Sequence, residues 1–403
     1  MFKKCIVFAL TIAMTASFAA CTQPETITTT VPGATSTITK TTTVPGETVT
    51  TTVPGGNVTQ TVTHHVTTTV IKTTTVEPES FIFTDSLGRL VEVPSNITKV
   101  AMSGPLTQIV LFPLCPDKLV GLATTWSAEA EEFIPTEYYN LPILGALYGG
   151  EDLNVEEVAA TGAQIIIDIG EKKANIVDDM DSLQNQIGIP TVHIDANTDT
   201  MGDCYRMLGE LLGMETEAAA LADYCDEVYA EILEIADTLG TDGKVNMLYV
   251  TGNRGLNVIA HGSYHSEIID LLCNNLAVVD NPSGKGTGNE VDMEQLILWN
   301  PDVIIFAPDS YFSAAAGDSV YSTLTAIANG NYYEVPFGPY NWMGQPPSVQ
   351  RYLGMIWMSQ LLYPDVAQYD VYEEVSRYYS LFYHTDITQE QFNRLTANSL
   401  GKQ

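Results

Sequence analysis

Several aromatic and hydrogen-bonding residues directly follow predicted β-strands, which is where α/β proteins bind small molecules. Trp126, Tyr148, Tyr264 and Trp342 offer flat faces for a macrocycle or a catechol ring. Arg254 could pair with a carboxylate, phosphate or hydroxamate oxygen, since its guanidinium presents a fork of donors. These residue types predict a site for a large, partly aromatic ligand that forms hydrogen bonds. Further candidate contacts on the same group of loops are Ser103, Glu171, His265, Asp309 and Asn341.

His261 and His265 are four residues apart, a spacing that on a helix places two imidazoles on one face. Gly262 lies between them, so the pair spans a loop rather than one helical turn. No carboxylate completes a metal-binding set in sequence, although Glu171 or Asp309 could approach in space. We therefore predict a capping or packed histidine, or contact between His265 and the ligand, and no metal held by the protein.

Signatures of catalysis and of nucleotide binding are missing from the sequence. The glycine-rich segment 283–288 has neither the P-loop spacing nor the dinucleotide-binding spacing, so it predicts a flexible loop. There is no Gly-x-Ser-x-Gly motif, and the six histidines offer no credible Ser/His/Asp set. The sequence therefore favours a protein that is not an enzyme and that needs no cofactor.

Alternating strands and helices must position these loops, and the alternation predicts parallel βαβ units. One series covers 79–214 and a second covers 240–403. Between them, apolar residues at helical spacing predict one long helix over 215–239, with Gly240 placed to end it. The predicted fold is α/β, with two lobes built on parallel sheets, a single long helix joining them, and a ligand cleft between the lobes. Predicted strands include 99–102, 119–123, 164–168, 191–195, 246–250 and 303–306, and predicted late helices are 351–362, 366–382 and 388–395.

Two glutamates occupy matching places in the two halves. Glu156 follows Asn154-Val155, and Glu294 follows Asp292-Met293, each at the start of a predicted helix that precedes a buried strand. An acidic residue there has a simple explanation, because it interacts favourably with the helix dipole. Glu157 is an equally placed neighbour in the first half.

Residues 1–78 differ in composition from the rest of the chain. A basic start and an apolar run over 5–20 predict a secretory signal, and the run is short for a membrane span. Ala19-Ala20-Cys21 resembles the lipobox of bacterial and archaeal lipoproteins, in which the cysteine is lipidated; a plain signal peptide with a chance cysteine is the alternative. Residues 22–78 are mostly Thr, Val, Pro and Gly and predict a disordered stalk. We expect residues 1–21 to be a signal ending at a lipid-anchored Cys21, on the extracellular face of the membrane.

The formal net charge of −32 argues against nucleic acid or an anionic membrane surface as a partner. Four cysteines lie beyond residue 78, and none has the Cys-x-x-Cys spacing of a zinc or redox site. Cys204 and Cys225 lie on neighbouring predicted helices. They could form a disulfide in an oxidising compartment, and buried free thiols are the alternative.

A series of short segments resembles the solute-binding proteins of ABC importers for metal chelates, namely ferric siderophores, haem and vitamin B12. The resemblance covers residues 80–403. The segments that carry it are, in order, 84–89, 99–103, 114–121, 154–158, 291–296, 300–305 and 347–357.

The resemblance implies a two-lobed monomer whose rigid interlobe helix permits only slight closure. It also implies that the chain captures an iron–siderophore-type chelate and delivers it to an ABC permease and its ATPase. In the family, one acidic residue in each lobe docks arginines on the permease, and Glu156 and Glu294 match those positions. A corrinoid is the alternative ligand. A secreted hydrolase or an adhesive surface protein is an alternative of a different class.

Overall fold

The computed structural model describes residues 79–148 and 150–400, together with the backbone of three strands nearer the amino terminus. Residues 1–81 and 82–403 form separate compact units. In the first unit, β2 (Thr35–Val44) pairs antiparallel with β3 (Val66–Thr75), and β1 (Glu25–Thr26) pairs antiparallel with β2. The rest of the predicted signal and stalk, including Cys21, lies outside the described residues, so the anchor and the disordered stalk stay predictions.

The first lobe of the second unit is built on a parallel sheet of three strands in the order β6-β7-β8. All six residues of the central strand β7 are buried, which explains its run of isoleucines. The predicted opening hairpin is present as β4 and β5. The elements of this lobe are β4 (Ser80–Thr84), β5 (Leu90–Pro94), β6 (Val100–Met102), α1 (Pro105–Leu114), α2 (Thr136–Tyr139), α3 (Val155–Thr161), β7 (Ile165–Gly170), α4 (Ile176–Ile187), β8 (Thr191–Asp195) and α5 (Met201–Leu212), with 3₁₀ turns at Pro116–Lys118 and Ala128–Glu132.

The strand expected over 119–123 does not form. Val120 donates to the carbonyl of Val100 over 3.1 Å, and Leu122 donates to the carbonyl of Pro142 over 2.8 Å. The segment thus changes partner within two residues, leaving isolated bridges where the apolar pattern predicts a ladder.

The long helix α6 (Glu215–Leu239) has the predicted bounds, and Gly240 follows it with φ of 56°. Its 25 residues span on the order of 37 Å. One face is buried, with Leu221, Val228 and Ile232 in the core. The helix packs against α5 and against α11 (Gln350–Leu362) of the second lobe, so it belongs to the packing of both lobes.

The second lobe has a mixed sheet in the order β12-β10-β9-β13-β14, with β11 pairing to β9. Strands β11, β9, β13 and β14 run parallel, and β10 is antiparallel to its neighbours. Its elements are β9 (Asn246–Thr251), β10 (Asn257–Val258), α7 (Glu267–Leu272), β11 (Asn274–Asn275), β12 (Asn289–Glu290), α8 (Met293–Trp299), β13 (Val303–Phe306), α9 (Phe312–Ala315), α10 (Thr325–Asn329), β14 (Tyr332–Glu334), α11 (Gln350–Leu362), α12 (Pro364–Ala367), α13 (Val371–Phe382) and α14 (Gln389–Leu395), with 3₁₀ turns at Tyr264–Ser266 and Tyr321–Thr323.

The single helix expected over 366–382 is two helices, α12 and α13. Gln368 adopts φ of 53°, which a continuing helix does not allow. Asp370 then caps α13, because its Oδ1 accepts from the backbone of Tyr372 and Glu373 at 3.0 and 3.1 Å. A good N-cap inside an otherwise helical pattern explains the break.

Cys115, Cys204, Cys225 and Cys273 are buried free thiols, so no disulfide joins Cys204 to Cys225. Burial raises the pKa of the Cys115 and Cys273 thiols to about 12. Among the described residues, no helix combines the length and the apolar character needed to span a membrane.

Candidate ligand-binding cleft

A cleft of about 1170 Å³ lies between the two lobes. Its first wall is formed by the residues that follow β6 and β7, and its second wall by those that follow β9 and β13. Two further segments, 284–287 and 345–347, complete the second wall. This is the position expected for a ligand site in parallel α/β sheets, because strand-end loops converge there.

Six of the sequence-predicted contact residues line this cleft. They come from both lobes, and they include an aromatic ring and a carboxylate on each wall. The six residues are Ser103, Tyr148, Glu171, Tyr264, His265 and Asp309.

The two tryptophans predicted as ligand platforms do not line the cleft. Trp342 is 1% exposed and lies in the core. Trp126 is buried, with its indole nitrogen donating to the carbonyl of Tyr138 over 3.2 Å and its ring edge-on to Phe112 at 5.2 Å. Both rings are used in packing, which their residue type alone could not distinguish from ligand contact.

Asn341 and Arg254 also lie away from the cleft lining. The buried amide of Asn341 donates to the hydroxyl of Tyr249 over 3.0 Å. Arg254 is exposed and pairs with Glu290 at 2.6 Å. Neither residue is among those that line the cleft, in contrast to the expectation of ligand contact.

A buried chain of polar side chains supports the first wall. Ser103 donates through Oγ to Asp168, whose other carboxylate oxygen contacts Nδ1 of His193 at 2.6 Å. Thr107 Oγ1 lies 3.2 Å from Ser103 Oγ and accepts from the backbone of Ile169 over 3.0 Å. Because the carboxylate separates the serine from the histidine, the imidazole cannot take the serine proton directly. These hydrogen-bonded side chains therefore fix Ser103 at the cleft and do not form a nucleophile–base pair.

Sequence reasoning missed Asp168 and His193. A carboxylate within the otherwise apolar strand β7 was the available signal, since a buried charge needs partners.

Tyr148 and Lys173 contact each other on the first wall of the cleft. The ammonium of Lys173 lies 3.4 Å from the centroid of the Tyr148 ring, and the Tyr148 hydroxyl donates to Asp179. Burial, followed by that hydrogen bond, raises the pKa of Tyr148 well above its usual value. Burial also lowers the pKa of Lys173, although Asp168, Glu171 and Asp179 act in the opposite direction.

Tyr264 joins the two lobes at the cleft. Its hydroxyl donates to the carbonyl of Ala196 in the first lobe over 2.9 Å. Its own carbonyl accepts from Arg351, whose guanidinium carbon lies 4.9 Å from the Tyr264 ring centroid. Arg351 is buried and also bonds Glu267 and, at 3.1 Å, Thr198 of the first lobe. The ring is thus held from both sides.

His265 lines the cleft with 9% of its surface exposed, and its Nδ1 has no hydrogen-bond partner. Burial lowers its pKa, and the charge of Arg351 lowers it further. His261 instead turns toward Asp270, with its Nδ1 3.1 Å from the carboxylate, so the two histidines are not brought together at the cleft. Among the described residues, no group of three or more His, Cys, Asp or Glu side chains could hold a metal ion.

The glycine-rich segment forms part of the second wall and is tied to its neighbours. Gln345 donates to the carbonyl of Gly286, and Thr251 donates to that of Thr287, both at 2.7 Å. Gly288 has φ of 72°, and a Cβ there would lie 2.2 Å from the carbonyl oxygen of Val258. These hydrogen bonds tie the loop to its neighbours at Gly286 and Thr287, and its flexibility stays a prediction.

A family model described as "Periplasmic binding protein" matches residues 134–338, which include parts of both lobes and all of α6. The chain belongs to this family. The match bears out the resemblance found in the sequence, and it agrees with the two-lobed fold and its cleft.

Solved structures with the same fold include three binding proteins. An ABC transporter solute-binding protein from Sulfurospirillum deleyianum is 25% identical, with 79% of this chain and 99% of that chain covered and a TM-score of 0.72. A periplasmic solute-binding protein from Veillonella parvula is 24% identical, with 80% and 98% covered and a TM-score of 0.66. A molybdate periplasmic binding protein of Haemophilus influenzae is 18% identical, with 76% and 99% covered and a TM-score of 0.60. No curated protein sequence matched.

As a member of the periplasmic binding protein family, the chain is a solute-binding component of an ABC transporter. Relatives of this kind are solute-binding proteins of transport systems. The cleft is therefore the expected solute-binding site, and the residues of its two walls determine which ligand it can bind.

The two glutamates in matching positions lie at the starts of two short, similar helices. Glu156 is exposed in α3, whose N-cap Asn154 accepts from the backbone of Glu157 over 3.2 Å. Glu294 is exposed in α8, whose N-cap Asp292 accepts from the backbone of Gln295 over 2.8 Å. Each helix leads into a buried strand of its lobe, β7 or β13. One acidic side chain per lobe thus faces solvent from equivalent structural positions.

Proposed function

We propose that the chain captures a metal chelate of the iron–siderophore type in this cleft and delivers it to the permease of an ABC importer. The cleft itself carries the proposal, because it combines a volume of about 1170 Å³ with an aromatic ring on each wall, Tyr148 and Tyr264. Ligand pockets for drug-sized molecules are typically about 300–1,000 Å³. A chelate with several bidentate arms fills a space of this size, whereas a single tetrahedral oxyanion leaves most of it empty.

Hydrogen bonds between the lobes favour a carrier that closes only slightly. Tyr264 bonds Ala196, Tyr352 donates to the carbonyl of Thr198 over 2.7 Å, and Ser127 donates to the carbonyl of Pro339 over 2.9 Å. A wide opening would break several such bonds at once, each with a net contribution of about 1 kcal/mol. Capture is therefore proposed to rest on a largely preformed cleft.

Delivery is proposed to use Glu156 and Glu294 as docking residues for arginines of the permease, with its ATPase driving transport. Both carboxylates are exposed, one on each lobe, so a permease that contacts both lobes can engage them together. Lipidation of Cys21 would keep the carrier at the extracellular face of the membrane, with residues 22–78 as the tether.

Isothermal titration calorimetry of the purified chain with ferric siderophores, haem, cobalamin and molybdate tests the capture step. We expect saturable binding of one chelate per chain, with the chelate recovered unaltered. Tyr148→Ala should weaken binding, and Arg254→Ala serves as the matched control because that side chain lies outside the cleft lining. Binding of molybdate alone, or of nothing in the panel, would overturn the chelate assignment.

A further inference from the structure

Positive side chains are scarce in this chain, with 17 lysines and arginines against 49 aspartates and glutamates. Nearly all those that the structure describes are paired. Every described arginine forms an ion pair with a carboxylate. The pairs are Arg89–Asp85, Arg206–Asp226, Arg254–Glu290, Arg351–Glu267, Arg377–Glu227 and Arg394–Glu132.

Most of the described lysines also have an oxygen partner. Lys172 pairs with Asp195 at 3.3 Å. Lys99, Lys118 and Lys244 donate to backbone carbonyls. Within residues 79–148 and 150–400, this leaves Lys173 and Lys285 as the two cations with neither a carboxylate nor a carbonyl partner.

Both of these lysines line the cleft, and they come from opposite walls. Lys173 follows β7 in the first lobe and is positioned by the Tyr148 ring, a contact that orients an ammonium without neutralising it. Lys285 is exposed on the glycine-rich segment of the second lobe. The two lysines carry like charges on opposite walls of the cleft, so an anion bound between them is attracted to both.

Asp168, Glu171 and Asp179 favour the charged form of Lys173 from a distance, but none of them forms an ion pair with it in the structure. Both oxygens of Asp168 are engaged, by Ser103 and by His193. Glu171 and Asp309 line the cleft but form no ion pair with either lysine in the structure. In a chain with so many acidic residues an unpaired carboxylate is ordinary, whereas an unpaired ammonium is exceptional. The two lysines therefore indicate the charge of the ligand.

We infer that the ligand is an anionic chelate whose negatively charged oxygens lie between Lys173 and Lys285. This rests on the proposed function and narrows it: ferric catecholates and ferric carboxylates fit, whereas neutral hydroxamates, cationic chelates and cobalamin do not. The geometry assigns one lysine of the recognition pair to each lobe, so an anion that contacts both also links the two walls.

Ferric complexes of similar size but different charge separate the possibilities. The chain is titrated with an anionic ferric tris-catecholate, a neutral ferric tris-hydroxamate and a cationic ferric hydroxamate. We expect tight binding of the anionic complex alone, weakening as salt is raised. Tight binding of the neutral or cationic complex would overturn this inference and leave the proposed function standing. If none of the three complexes binds, the proposed function itself is contradicted.

Two substitutions and a neighbouring control test the lysines directly. Lys173→Met and Lys285→Met should each weaken binding of the anionic complex by about tenfold to a hundredfold, the range for losing a hydrogen bond to a charged group. Lys172→Met removes an adjacent ammonium that pairs with Asp195 and should leave affinity within about twofold. Thermal unfolding of all three variants checks that each one is folded. Equal effects of the Lys172 and Lys173 substitutions would mean that overall charge, and not the cleft position, governs binding.

Discussion

The two walls of the cleft are built in different ways. The first wall stands on the ends of adjacent parallel strands and on a buried chain of side chains that includes Ser103, Asp168 and His193. The second wall also follows two adjacent parallel strands, β9 and β13, and is completed by loop segments held by single hydrogen bonds such as those from Thr251 and Gln345. The polar groups of the first wall are therefore fixed by the buried core, whereas those of the second wall depend on contacts between neighbouring loops.

The largest loss of stability is expected on substitution of Asp168, which connects the first wall to the core. Asp168→Ala leaves the buried imidazole of His193 and the hydroxyl of Ser103 without their shared partner. We expect a loss of about 3–5 kcal/mol in the free energy of unfolding, measured by urea denaturation. Asp309→Asn, on the second wall, is the control and should cost at most about 0.5 kcal/mol. Similar losses in the two variants would remove the contrast between the walls.

A second test stays within the glycine-rich segment of the second wall. Gly288→Ala introduces a Cβ only 2.2 Å from a carbonyl oxygen and forces φ of 72° on alanine, so a loss of about 1–3 kcal/mol is expected. Gly284→Ala meets open space and should be close to neutral. If urea unfolding shows the two variants to be alike, the loop does not follow the path described for it.

A smaller effect is expected for the residue that joins the walls. Tyr264→Phe removes the hydrogen bond to Ala196 and should lower the free energy of unfolding by about 1 kcal/mol. Tyr332→Phe is a suitable control, because the Tyr332 hydroxyl makes no hydrogen bond to the described residues. An unchanged unfolding midpoint for Tyr264→Phe would show that this bond does not hold the lobes together.

The smallest effect concerns pH. The pKa of His265 is lowered in the folded chain, chiefly by burial, so the unfolded chain binds more protons between that lowered pKa and about 6.5. The contribution of the neutral imidazole is fully present above about pH 6.5 and is lost as the pH falls. Wild type should therefore lose stability relative to His265→Gln on acidification, as followed by urea unfolding at several pH values. A stability difference between wild type and His265→Gln that is flat with pH, or that shifts in favour of wild type as the pH falls, would contradict the assignment.

Much of the framework could be predicted from the sequence, because apolar periodicity reports directly on buried faces. The bounds of α6 were predicted to the residue, and loops that follow β6, β7, β9 and β13 line the cleft, where ligand sites of parallel α/β sheets are expected. The aromatic residues were harder. Trp126 and Trp342 belong to loops that fold back into the core, and loops have no periodicity that reveals which way a side chain turns.

The two cleft lysines also could not be singled out from the sequence. Lys173 and Lys285 carry no motif, and their significance emerges only when every other described cation has been matched to its partner in space. Such pairing depends on contacts between residues that are far apart in sequence. It is a property of the folded chain that composition and spacing cannot supply.

The four buried cysteines have a practical consequence for following this protein in solution. Burial raises the pKa of each thiol, so all four remain protonated at neutral pH and are shielded from alkylating reagents. A single cysteine placed at Gly284 would meet open space at the cleft. A dye attached there would report the arrival of the ligand against a silent background from these four sites.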